Sequence, residues 1–150
     1  MSSLPRLSRP VLVVFSVCLA AACAVHLADL WRHGWLPYHF APLALNVYWT
    51  ALTFFDALAA VLLLWQPRTG LALTLLIITS DVTLNLFAHF YLRLHLKPLM
   101  LLLQVIFFVA IVAAISYARA TGPAHERSNR VLQLTPDRHV KRFKDKWTER

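Results

Sequence analysis

Two short stretches carry the groups with the most chemical potential: NVYWTALTFFDALAA at residues 46–60 and TSDVTLNLFAH at residues 79–89. Each lies inside a long apolar run, and each places an aspartate near the middle of it, Asp56 in the first and Asp81 in the second. An ionised carboxylate at the centre of a membrane helix costs about 2.5–3.5 kcal/mol, so such a residue turns inward and takes a partner, a proton or a cation. Two carboxyls close together in a low-dielectric site cannot both ionise cheaply, and a shared proton is expected of the pair. The competing expectation is that Asp56 and Asp81 are hydrogen-bonded to Asn85, Thr53 and Thr74 and only hold the helices in register.

At 100° per residue, Thr74, Asp81, Asn85 and His89 share an arc about 80° wide, and Asn46, Trp49, Thr53, Asp56 and Ala60 share a similar arc on the preceding run. Counted from a turn centred at Arg68, Asp56 is 12 residues back and Asp81 is 13 on, which predicts nearly equal depth in an antiparallel hairpin. The same counting brings His26 and Asp29 from the first run, and Gln104 from the fourth, toward this polar centre. The expected site is therefore Asp56, Asp81, Asn85, His89, Asn46, Trp49, Gln104, His26 and Asp29, with Trp49 offering an aromatic face to a cation. No cofactor is expected. The histidines leave open a bis-histidine haem through His26 and His89, or a metal held by His26, Asp29 and His89.

The elements that must position these groups follow from composition. Hydrophobic residues make up 59% of the 150 and charged residues 15%, too little charge for the surface of an ordinary soluble domain. Four apolar runs, 11–31, 43–65, 70–92 and 98–118, each approach the ~20 residues that span a bilayer as a helix. Their short connections predict an all-α, antiparallel four-helix transmembrane bundle over residues 1–118. Arg6 and Arg9 before VLVVFSVCLA resemble a signal peptide, but the apolar stretch runs on through AVHLADLW, and a retained first helix is expected.

Of the 15 Lys and Arg, 12 fall on one side of a four-span arrangement and only Arg32, Arg93 and Lys97 on the other, so the positive-inside rule puts both termini in the cytoplasm of a bacterial inner membrane. Nine of those basic residues follow residue 118, and the net charge of +8 reads as topology and anionic-lipid contact, not nucleic-acid binding. Residues 119–135 read as an irregular linker. In 136–150, Val140, Phe143 and Trp147 alternate with Lys and Arg as in a basic amphipathic helix. Cys18 and Cys23 are about 140° apart on one helix and cannot readily pair; both are expected to be buried small residues. Small residues at Ser16, Ala20, Ala24 and Ala28, and at Ala110, Ala114 and Ala118, predict close helix approaches.

The stretch from His26 to His89, beginning HLADLWRHGWLPYHF, resembles a group of uncharacterised small four-helix membrane proteins of bacteria, which implies the fold and no activity. ADLWRHGWLP is also similar, more faintly, to the EXPERA group of emopamil-binding sterol isomerases and sigma-2 receptor-like proteins. That likeness implies Asp29 and Asp56 as cavity acids that contact an amine or a sterol intermediate. The chain departs from it in having no Glu in its membrane helices and a further acid at Asp81. The expected function is a pocket that binds a small cationic or lipophilic ligand or relays protons. An isomerase-type enzyme and an accessory subunit of a membrane complex are the alternatives, and a homodimer is the expected assembly if the chain transports.

Overall fold

A computed structural model describes residues 7–134. They form four helices, α1 (Arg9–His33), α2 (Leu43–Trp65), α3 (Pro67–Phe90) and α4 (Pro98–Leu134), and no strand occurs among the described residues. Each helix contains a stretch long and apolar enough to cross a membrane, the fourth over Pro98–Thr121. The chain reads as a multi-pass membrane protein.

Proline and glycine set the boundaries. Pro10 opens α1, where a missing N–H removes nothing from the helical ladder. Gly34, at φ 79°, ends α1 with its N–H on the Leu30 carbonyl, a conformation that costs glycine nothing. Pro67 forbids helical geometry at the residue before it, so Gln66 turns out at φ −131° and α2 and α3 meet across a single residue. Such a tight hairpin forces the two backbones together, and Gly70 is what permits it. A Cβ at that position would meet the Leu63 amide nitrogen and lie 2.5 Å from the Leu62 carbonyl carbon.

Side-chain bonds between neighbouring helices run in opposite sense along the chain, Ser16 to Ala60 and Cys23 to Thr53, which fixes α1 and α2 as antiparallel. Packing follows chain order, α1 on α2, α2 on α3 and α3 on α4. The centre is filled by Leu12, Phe15 and Leu19 of α1, Leu52, Ala59 and Leu63 of α2, Leu71, Ile77, Ile78 and Ala88 of α3, and Ile111 and Ile115 of α4. Outside it, Val13, Val17, Phe54, Phe55, Leu58, Val61, Leu76, Leu102 and Ile106 are exposed. A soluble monomer does not carry apolar surface on this scale; for a membrane protein it is the lipid-facing side.

Three sequence expectations need correction. The helix that contains the fourth span continues to Leu134 instead of giving way to an irregular linker after residue 118. Of the small-residue stripe on α1, only Ser16 is buried against another helix, while Ala20 and Ala24 face outward. The close approach is made instead at Gly70 and at Ala59, which is fully buried. Cys18 is exposed, and only Cys23 is partly covered. The proposed amphipathic segment 136–150 lies outside the described residues.

Candidate functional site

Asn85 is the hub of the interior. It is buried on α3, and its amide nitrogen donates to Asp81 Oδ1 at 2.9 Å and to Gln104 Oε1 at 2.9 Å, while its Oδ1 accepts the Trp49 indole N–H at 2.8 Å. Both amide protons are thereby used, and α2, α3 and α4 are tied at one level. The i, i+4 spacing of Asp81 and Asn85 stacks them on one face of α3, which is why their side chains meet.

The pairing of Trp49 with Asn85 also sets the register of the two aspartates. Asp56 is seven residues turnward of Trp49 and Asp81 four turnward of Asn85, and from Gln66 they are 10 and 15 residues away, so Asp56 is the deeper by three to five residues, about 4.5–7.5 Å along the axis. The equal depth expected from a turn centred at Arg68 does not hold, because Pro67 moves the turn to Gln66. The two carboxyls are 3% and 7% exposed and near enough for charge on one to act on the other. Asp81 accepts from Asn85, whereas the Asp56 carboxyl receives no hydrogen bond from the described residues. Thr74 does not serve the pair either: its hydroxyl donates to the Gly70 carbonyl of its own helix at 2.8 Å.

A second cluster forms at the end of α1 where the chain enters the 34–42 connection. The Tyr38 hydroxyl donates to Asp29 Oδ2 at 3.2 Å and lies 2.8 Å from His26 Nδ1. The Tyr38 hydroxyl thus bridges His26 and Asp29. Burial, reinforced by the neighbouring Asp29 charge and hydrogen bond, pushes the Tyr38 phenol well above its ordinary range, so it remains a donor. Asn46, at the start of α2, straps the connection down by donating to the Leu36 carbonyl at 2.9 Å and accepting from the Tyr38 N–H at 3.0 Å. This strap holds Leu36 at φ 57°, a left-handed conformation that a non-glycine residue adopts at a cost of about 1–2 kcal/mol.

The two clusters meet at Trp49. Its ring centroid is 5.4 Å from that of Tyr38, edge to face, and 6.1 Å from that of Phe40, so its faces are occupied by aromatic neighbours. His89 joins neither cluster; it packs edge to face on Phe90 and its Nδ1 is enclosed without a partner. Among the described residues no three His, Cys, Asp or Glu side chains gather as metal ligands, so His26, Asp29 and His89 do not make the cation site that their spacing allowed. A groove of about 330 Å³ lies between α1 and α4 at Val11, Val14, Phe15, Ala110 and Ala114, and another of about 410 Å³ lies along Ala24, Ala28, Trp31 and Arg32; neither is lined by Asp56 or Asp81.

Three participants were not anticipated. Tyr38, which links Asp29 to His26, sits in the connection RHGWLPYHFAP, and only the fold of that loop reveals its direction. Tyr48 shares a hydrogen bond with Ser80 at 2.8 Å, and Cys23 donates to the Thr53 carbonyl at 3.2 Å. Comparisons with protein-family models, curated proteins and solved structures found no match.

Proposed function

We propose that the chain is a bacterial inner-membrane protein whose Asp56 and Asp81 take up and release a proton inside the helix bundle. The observation that carries this reading is a charge imbalance. Two carboxyls are buried in adjacent spans, within electrostatic reach of each other, and no Lys or Arg occurs between residues 33 and 67 or between 69 and 92. A carboxyl pair without a basic partner in that setting is neutralised most cheaply by taking protons. A proton needs no cavity, whereas an amine or lipophilic ligand does, and neither of the two grooves is lined by these residues. The distribution of Lys and Arg supports both termini in the cytoplasm, with the His26, Asp29 and Tyr38 cluster toward the opposite face.

Infrared spectroscopy of the protein in lipid vesicles tests the reading through the C=O stretch of protonated carboxyl groups. At neutral pH a protonated-carboxyl band is expected, and it should weaken or vanish in Asp56→Asn or Asp81→Asn. A wild-type spectrum without that band sinks the reading.

A further inference from the structure

The two buried carboxyls are alike in burial and unlike in bonding. Asp56 is 3% exposed and Asp81 is 7% exposed, so loss of water weighs on both in nearly the same degree. Asp81 Oδ1 accepts an N–H of the Asn85 amide at 2.9 Å. No hydrogen bond reaches the Asp56 carboxyl from the described residues, and even the Thr53 hydroxyl, one turn away on the same helix, has no partner.

The orientation of the Asn85 amide is forced. An indole N–H can only donate, so the Trp49 bond at 2.8 Å must meet the amide oxygen, which turns the NH2 group toward Asp81 and Gln104. Gln104 Oε1 takes one of the two protons at 2.9 Å and the Asp81 carboxyl takes the other. A flipped amide would set N–H against the indole N–H and oxygen against the carboxyl. Side chains from α2 and α4 therefore hold a donor on Asp81 and none on Asp56.

A bond donated to a carboxyl is about twice as strong when the acceptor is charged, so a fixed donor favours the ionised form of its acceptor. Neighbouring charge does not offset this. Asp81 is reached by Asp56 and Tyr48 from α2 and by Tyr38 from the 34–42 connection, while α4 brings it the neutral Gln104. Asp56 is reached by Cys23 from α1, Tyr48 from its own helix and Asp81 from α3. None of these groups is basic.

We propose that Asn85 is a positioning residue that makes the carboxyls unequal, so that Asp81 is the member of the pair that ionises and Asp56 the member that keeps its proton. This rests on the proton-exchanging reading of the pair and gives each carboxyl its part. Ionisation breaks one O–H bond at Asp81, leaves the electron pair on the carboxylate that Asn85 holds, and delivers the proton to water.

The test is the pH at which the protonated-carboxyl infrared band is lost from each single-carboxyl protein in lipid vesicles. Asp56→Asn leaves the Asp81 band, Asp81→Asn leaves the Asp56 band, and in neither does a partner carboxylate repel the charge. The Asp81 band should be lost about one pH unit below the Asp56 band. Adding Asn85→Leu to Asp56→Asn should raise the Asp81 midpoint by about one unit, and adding it to Asp81→Asn should move the Asp56 midpoint by less than about half a unit. A residue that only braces the helices would not separate the two midpoints in this way. Trp49→Phe frees the amide to turn, and it should shift the Asp81 midpoint in the same direction if Asn85→Leu does not fold. Equal midpoints, the reverse order, or an Asp81 midpoint that neither change moves overturns the assignment while leaving the proton reading standing. A wild-type protein without the band overturns both together.

Discussion

Replacing Asn85 by leucine removes a side chain that ties its own helix to α2 and α4 and substitutes an apolar group of similar size. Three hydrogen bonds are lost, to Trp49, Asp81 and Gln104. Interhelical side-chain bonds in membrane proteins average about 0.6 kcal/mol and reach about 1.7, so the two that leave α3, to Trp49 and Gln104, predict a loss of about 1 kcal/mol, rising toward about 3.5 at that ceiling. The upper part of the range is the better expectation, because the buried Trp49 N–H is stranded in the variant and an unpaired buried donor adds about 1–3 kcal/mol. The measurement is reversible unfolding in mixed micelles by increasing fractions of denaturing detergent, following tryptophan fluorescence. Thr83→Val is the control: this exposed hydroxyl bonds only its own helix, and its loss should move stability by less than about 0.5 kcal/mol. A double cycle with Trp49→Phe then asks whether the two effects overlap, as residues sharing a bond must. An Asn85→Leu protein as stable as wild type, or strict additivity with Trp49→Phe, refutes the hub.

Gly70→Ala should lower stability by about 1–3 kcal/mol in the same assay, because the new methyl group meets the α2 backbone at Leu62 and Leu63 and the hairpin must open; unchanged stability contradicts the close approach. Asn46→Ala should release the 34–42 connection, and with one bond worth about 0.5–1.5 kcal/mol the Tyr38 amide should exchange with D2O about three- to tenfold faster. Unaltered exchange there removes the strap. Tyr38 adds a pH dependence at the alkaline end. With the folded-state phenol pushed upward by burial and Asp29, its contribution is fully present below about pH 10, the ordinary phenol value, and is lost as pH rises beyond it. Wild-type stability should therefore fall more steeply above pH ~10 than that of Tyr38→Phe, and parallel slopes argue against a buried phenol.

The four spans were legible because length and hydropathy are properties of single segments, and the run boundaries came within a few residues for α2 and α3. Pairing between segments was harder. The shared face of Asp81 and Asn85 follows from helical periodicity, and the reach of Gln104 toward Asn85 from counting depth along the fourth run, and both were readable. The relative depth of Asp56 and Asp81 was not, because it depends on where the chain turns. Pro67 and the small volume of Gly70 place that turn at Gln66, two residues before the position that counting from Arg68 assumed. Tyr38 was invisible for a related reason: a loop has no periodicity, and its direction here is set by the two Asn46 bonds. The α1 alanine stripe misled because small residues permit a close approach without requiring one.

The contrast between the two sides of the polar centre separates what holds the bundle from what works in it. On one side every donor of Asn85 is matched to an acceptor, and the indole N–H of Trp49 is matched as well. An amide whose donors are all matched in this way rigidifies the helices it joins. On the other side, two enclosed hydroxyls and a carboxyl sit on successive turns with their bonding capacity unspent. Stability alone would not preserve that arrangement, since valine fits at Thr50 and Thr53 without stranding a hydroxyl. The two sets of substitutions must therefore act in opposite ways. Asn85→Leu should weaken the fold, whereas Thr50→Val and Thr53→Val, which remove enclosed hydroxyls that have no partner, should spare or strengthen it. Equal loss of stability in both sets of variants would refute the contrast between a satisfied and an unsatisfied side.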